Sequence, residues 1–366
     1  MNRIQLSNLA IAMSMGAALV ACGGGGGSDN PSGGTTGTPT GGTSSGSSST
    51  TPTSGTLLTT SPTPTYAAGS DQLSAYNTLQ TARLRAGAGA FTQNAQLDTA
   101  ALAHAAYLGD NYSQHGISHT EDPSLPGYYA DTLDARLAKS GYSDSFDAEV
   151  VAGVNSSALA SGGDCVAQLL NTAYHLAAIL RPLTQVGIGT EATMASGMPL
   201  QLCVVDFATP SANPAFQMPP SGAVVAYPYP GQTNVPASWQ PGGETPRVPV
   251  ALVPNLIAGT PIAISIYNAD YADTVSGLAP TLTSFSLKDA AGNLVPAAII
   301  GDTYLQAGPN VSMTSDSTGV LDRGQALLLP LAALNVSATY TVTMSAKLQA
   351  GGTPLTKTWS FTTAAN

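Results

Sequence analysis

All four histidines of this 366-residue chain, His104, His115, His119 and His175, lie between Tyr66 and Pro210. The same stretch holds 13 of the 21 acidic residues against 5 of the 11 basic ones, so it carries −8 of the net charge of −10. Neutral imidazoles and carboxylates are the groups that hold divalent ions, orient one another, and move protons near neutral pH. His115 and His119 are four apart, a spacing that would place both on one face of a helix, but Gly116 between them and Pro123 beyond favour a loop. His104 shares an apolar stripe with Leu97, Ala101 and Leu108 and reads as a core histidine. His175 follows Tyr174 and precedes the apolar run Leu176 to Leu180. Neither a His-Glu-x-x-His nor a Cys-x-x-Cys pattern is present.

The elements that must position these groups follow from periodicity. Helices are predicted over Leu73–Arg85 (closed by Gly87 and Gly89), Leu97–Asp110, Asp131–Lys139 and Cys165–Asn171. Strands are predicted over Gln185–Thr190 and Leu200–Phe207. Helices first and strands later imply an α+β domain. Beyond Phe216 there is no histidine and little helical period. Eight runs read there as strands of an all-β sandwich: Val224–Tyr227, Pro249–Val253, Ile262–Tyr267, Thr283–Leu287, Leu294–Ile299, Ala326–Leu329, Ala338–Met344 and Thr356–Thr363. Eleven prolines from Pro210 to Pro254 mark the hinge, with Tyr227-Pro228-Tyr229-Pro230 expected to be extended and solvent-facing. Trp359 reads as a core anchor.

The amino end sets the compartment. Arg3 precedes an apolar run from Leu9 to Val20, too short to span a bilayer but right for a signal-peptide core. Leu19-Val20-Ala21-Cys22 resembles a bacterial lipobox, in which the cysteine thiol receives the lipid. Gly23 after the cysteine implies the outer membrane of a Gram-negative envelope. The following Gly, Ser, Thr and Pro residues read as a disordered tether. Gly42-Thr43-Ser44-Ser45-Gly46 fits the hydrolase pattern G-x-S-x-G, but without a strand before it or a helix after it the match is compositional. The expected organisation is therefore a signal peptide over 1–21, a lipidated tether over 22–65, a first domain over 66–212 and a second over 213–366. The acidic balance argues against nucleic acid as a partner. With Cys22 lipidated, Cys165 and Cys203 remain together in an oxidising compartment, and a disulfide between the fourth helix and the last strand of the first domain is expected.

Ser118-His119-Thr120, Arg136, Gly141-Tyr142, Glu149-Val150-Val151-Ala152-Gly153, Tyr174-His175 and Val186-Gly187-Ile188-Gly189 together resemble the bacterial CAP (SCP-like) domain. This is the superfamily of cysteine-rich secretory proteins, antigen 5 and pathogenesis-related 1. Arg83 with Gly87, and Asn94 with Leu97 and Ala101, match its opening. The resemblance implies an α-β-α sandwich with a groove in which His119, Glu149 and His175 meet, His115 being the alternative to His119. Ala148-Glu149-Val150 lacks the family's Gly and Asn around the acid, and the family's second acid falls near Asn171 or Thr172. Two imidazoles and a carboxylate could hold zinc and serve a metal-dependent hydrolase of envelope material. Alternatively they form a hydrogen-bonded trio that shapes the groove. The second is the favoured expectation: a binding or interaction protein, not an enzyme, whose groove takes a small apolar, peptide or glycan ligand. Ser337–Val342 and the closing Trp359-Ser360-Phe361-Thr362-Thr363 resemble bacterial Ig-like domains.

Overall fold

The computed structural model describes residues 21–24, 53–267, 279–348, 352 and 354–365. The expected signal peptide, apart from Ala21, and residues 25–52 of the expected tether lie outside them, as does the pattern at Gly42–Gly46. The chain is mixed α+β.

In chain order the first part contains β1 (Ala21–Gly24), β2 (Thr53–Gly55), α1 (Asp71–Ala86), β3 (Thr92–Gln93), α2 (Ala95–His115), α3 (Leu133–Lys139), β4 (Asp144–Asn155), α4 (Gly162–Leu169), α5 (Tyr174–Ile179), β5 (Gln185–Ala195) and β6 (Met198–Pro210). Short polar side chains start the helices. Ser70 accepts from the Leu73 N–H, Asn94 from those of Gln96 and Leu97, and Ser161 and Asp164 form a reciprocal capping box on α4. Gly87 ends α1 in the left-handed region at φ 90°. With no breaker before Gly116, α2 runs five residues further than its predicted end, so His115 is its last residue and His119 lies in the loop beyond. The two histidines therefore do not share a helix face.

The main sheet has the order β3-β5-β6-β4-β1, closed by a short strand β9 (Glu244–Thr245). Its centre is the β5–β6 hairpin, turned at Ser196 and Gly197 (both φ > 0), with β4 antiparallel to β6 from Asp144 to Asn155. Residues alternate between the faces. Ala148, Val150, Ala152, Cys203, Val205 and Phe207 pack with α1, α4 and α5, whereas Val151, Leu202 and Val204 pack with α2. Glu149 and Asp206 fall on the α2 side by the same alternation. The sheet thus lies between two helical layers. The expected disulfide is present: Cys165 of α4 bonds Cys203 of β6, tying one layer to the sheet's middle strand. The docking of α2 is close because β5 offers Gly187 and Gly189 beneath it. A Cβ at Gly189 would overlap the Ala101 carbonyl, and one at Gly187 the backbone of Leu97. Gly189→Ala is expected to lower stability by about 1–3 kcal/mol, as overpacking does, in a urea unfolding curve.

The remainder contains β7 (Ala215–Gln217), β8 (Val224–Tyr227), β9 as given, β10 (Ile262–Ile266), β11 (Thr281–Lys288), β12 (Ala297–Gly301), β13 (Gln306–Ala307), β14 (Thr314–Ser315), β15 (Gln325–Pro330), β16 (Thr339–Lys347) and β17 (Pro354–Thr362). Two sheets, β14-β12-β15-β10-β8 and β13-β11-β16-β17, enclose a core of Ile262, Ile264, Ile266, Phe285, Leu328, Val342, Met344 and Phe361. Trp359 is 5 % exposed, and its Nε1 donates to the Pro228 carbonyl at 2.8 Å, the anchoring role expected of it. The outer face of the five-stranded sheet (Val225, Tyr227, Ala263, Leu327, Leu329) joins the core under α1, α4 and α5. The two parts therefore share one continuous apolar core.

Three local expectations are corrected. Residues from Thr53 to 65 are docked: β2 pairs with β7, the Leu58 N–H donates to Gln217 Oε1, and Tyr76 donates to the Pro62 carbonyl. Leu57, Leu58 and the prolines make this end of the expected tether apolar and already extended. Tyr227 is buried in β8, not solvent-facing, and the Tyr227–Pro228 bond is cis. Pro249–Val253 forms turns because the flanking prolines remove ladder donors. No helix among the described residues is long and apolar enough to cross a membrane.

Candidate functional site

Glu149 organises the polar centre of the first part. The β4–β6 register sets it opposite Asp206, and its carboxylate is 2 % exposed. His119, in the loop after α2, puts Nδ1 at 2.6 Å from Glu149 Oε1. Arg136 of α3 donates through Nη2 to Glu149 Oε2 at 2.6 Å, and through Nη1 to the His119 carbonyl at 3.0 Å. His104 of α2 lies behind them, with Nε2 at 4.0 Å from Glu149 Oε1. Its Nε2 also donates to the Ser118 carbonyl at 2.9 Å, while Nδ1 faces Glu121 Oε1 at 2.8 Å. A carbonyl only accepts, so Nε2 is the donor to Ser118, and Nδ1 is engaged by Glu121. The other Glu121 oxygen accepts from the N–H groups of Tyr129 and Ala130. The pair His104–Glu121 therefore staples the loop between α2 and α3 onto the helix and delivers His119 to Glu149.

The electrostatics follow from burial and neighbours. Burial alone would push the Glu149 carboxyl up, but His104, Arg136 and His119 outweigh it and hold the group well below the usual carboxylate range. For Arg136 burial opposes the charge, and Glu149 with Asp206 more than restores it. Asp206 is the loser. Burial, then the charge on Glu149, push its carboxyl well above the ordinary range despite Arg136, and no donor reaches either oxygen among the described residues. Because its folded value is raised, Asp206 binds more protons folded than unfolded, so its contribution to stability falls as pH rises above about 4. Asp206→Asn is expected to raise the Tm at pH 7 and to change it much less near pH 3, where the wild-type carboxyl is largely protonated in both states. Calorimetry at the two pH values checks this.

The resemblance placed His119, Glu149 and His175 in one groove. The structure brings the first two together and puts His175 on the other face of the sheet. His175 is fully buried in α5, which packs with Val150 and Ala152, away from Glu149. Its Nδ1 meets Thr172 Oγ1 at 2.9 Å and Glu244 Oε2 at 3.3 Å, so its carboxylate comes from 69 residues downstream and not from the region of Asn171. His104 takes the second imidazole position beside Glu149. His115 stands apart on a cleft of about 220 Å³, lined also by Tyr107, Asn111, Ser118, Thr120 and Asp122. Asp122 is exposed there, and its bonds from the Ser124 N–H and hydroxyl hold its carboxyl below the usual range. Cys22 lies in β1, whose backbone pairs with Glu149–Val151.

Sequence reasoning missed Arg136, Glu121 and Asp206 as members of this network. Asp206 had a visible signal, a lone acid inside the apolar run Leu202 to Phe207. Glu121 had none.

These donors do not fit a zinc centre. Both Glu149 oxygens are engaged at 2.6 Å, one by a guanidinium that would repel a divalent ion, and both nitrogens of His104 face protein acceptors. No group of three His, Cys, Asp or Glu that could hold a metal ion occurs among the described residues. What the arrangement does is orient an imidazole: Glu149 accepts from His119 Nδ1, which leaves Nε2 as the basic nitrogen of that ring. No family model matches the chain, and no curated protein matches it.

Proposed function

We propose that this chain is a CAP-superfamily lipoprotein of the bacterial envelope, anchored through Cys22 in the outer membrane, with a C-terminal Ig-like sandwich. It acts as a binding module and not as a metal-dependent hydrolase. The ordered motifs from Ser118 to Gly189 support the family reading, and the helical layers about the sheet are compatible with it. The disulfide suits an oxidising compartment.

One observation carries the functional part. The His119–Glu149–Arg136 and His104–Glu121 bonds engage both Glu149 oxygens and both His104 nitrogens within the protein itself. An internally bonded network of this kind rigidifies the α2–α3 loop and the cleft beside it. That cleft accommodates a side chain, not a chain of sugars, and Asp122 gives it a fixed negative charge. Its ligand is a peptide segment presenting a basic side chain, which also matches the acidity of this half of the protein.

Fluorescence anisotropy with labelled hexapeptides carrying a central lysine or a central glutamate tests the reading. Saturable binding of the lysine peptide alone is expected, unchanged by chelator and weakened by salt and by Asp122→Asn. Binding of neither peptide, or binding lost on adding chelator, would contradict it.

A further inference from the structure

A second cleft, of about 410 Å³, runs where α1 and α4 meet the sandwich. It is larger than the cleft beside His115 and has no charged residue in its lining. Asn77, Thr78 and Thr81 of α1 line it, as do Gln232 and Asn234 from the segment after β8. The half-buried Tyr229 supplies aromatic surface, with the buried Tyr227 ring behind it, and Leu170 of the first part also lines the cleft.

This wall is built and not merely exposed. The Tyr229 N–H donates to Gln232 Oε1 at 3.0 Å, and Gln232 Nε2 donates to the Tyr227 hydroxyl at 3.1 Å. The two rings meet edge to face at 6.1 Å, and the Arg85 guanidinium lies 5.4 Å from the centre of the Tyr229 ring. The segment is pinned to the sandwich by Gly231 N–H to the Ser360 carbonyl and by Trp359 to the Pro228 carbonyl. Side chains held in this way lose little freedom when a ligand arrives.

We infer that this groove is a binding site for a neutral oligosaccharide. A sugar ring has an apolar C–H face and a rim of hydroxyls, each able to donate and accept. The Tyr229 ring matches the face, and the amides and threonine hydroxyls match the rim, because amides and hydroxyls also donate and accept. No charged residue lines the groove itself, the Arg85 guanidinium standing against the Tyr229 ring and outside the lining, so a phosphate or carboxylate finds no ion-pair partner among the lining residues and a neutral ligand is favoured. The site is separate from the His119–Glu149 network and does not depend on the peptide reading of the other cleft.

Isothermal titration of the full chain with the neutral N-acetylglucosamine trimer and with maltotriose tests the assignment, beside an anionic galacturonic acid trimer. At least one neutral trimer is expected to bind and the anionic one not to bind. Thr81→Trp, which fills the groove from an exposed helix position, should abolish binding. Tyr229→Ala should weaken it about tenfold, the loss of one aromatic contact. His115→Ala, in the other cleft, should leave it unchanged. Circular dichroism establishes that each variant is folded. Binding of no neutral trimer, equal binding of the anionic trimer, or binding that survives Thr81→Trp would overturn the assignment. Loss of the lysine-peptide binding alone would bear only on the other cleft.

Discussion

Glu149→Ala is expected to lower the stability of the chain by about 3–5 kcal/mol at pH 7, read from the midpoint of a urea curve. The carboxylate is buried and accepts from both Arg136 and His119, so its removal leaves a buried guanidinium without its strongest partner. The pH dependence should change as well. The folded value of Glu149 is held below its unfolded one, so its stabilisation is present above about pH 4.3 and is lost as pH falls toward the folded value. The variant should lack that acid-side loss. Asp206 makes a further outcome legible. Once Glu149 no longer repels it, Asp206 can ionise beside Arg136 and recover part of the lost stability. Asp206→Asn, stabilising alone, should therefore become destabilising in the Glu149→Ala background. A double-mutant cycle in which the two changes simply add would show that they do not share Arg136.

Breaking the disulfide should have an effect of similar size. Cys165 and Cys203 are 38 residues apart in sequence, and closing such a loop restricts the unfolded chain by roughly 4 kcal/mol. The Cys165→Ala/Cys203→Ala double variant is expected to show that loss in unfolding by urea, with no change in wild-type stability on adding a chelator. Both cysteines are fully buried between α4 and the sheet, so alanine at each position leaves no exposed thiol and little room for water. A variant as stable as the wild type would show that packing between the layers, and not the covalent link, holds α4 in place.

Much of the architecture could be read from local patterning. Ser70, Asn94 and the glycines at 87 and 116 bracket the long helices, because capping and left-handed backbone are decided within a few residues. The sandwich strands were legible through alternation, as in β16, where Tyr340, Val342, Met344 and Ala346 are buried in turn. In the first part the short strands β1, β2 and β3 were missed, and so were β4 and α5. The strand β4 carries acids at 144, 147 and 149 and a glycine at 153, so its residues lack a clean alternation. The helix α5 has six residues and is stabilised by tertiary packing and by Glu244 accepting from the Ala173 and Tyr174 N–H groups.

The site was half legible for the same reason. The pairing of His119 with Glu149 came from motif order and is realised at 2.6 Å. The third partner could not be read locally, because β-strand alternation decides which face of the sheet each group reaches. His175 and Glu149 fall on opposite faces, and His104, set aside as a core histidine, is both that and the network's second imidazole. Arg136 reaches Glu149 only through the fold of α3 over the sheet.

The central claim is that the carboxylate–imidazole network is a closed structural support and not a metal centre. Elemental analysis of the purified chain after dialysis against micromolar zinc, beside His119→Ala, tests it most directly. The expected result is far less than one equivalent of zinc in the wild type, with no difference in the variant. One equivalent of zinc in the wild type that disappears with His119→Ala would contradict the account and restore the hydrolase reading.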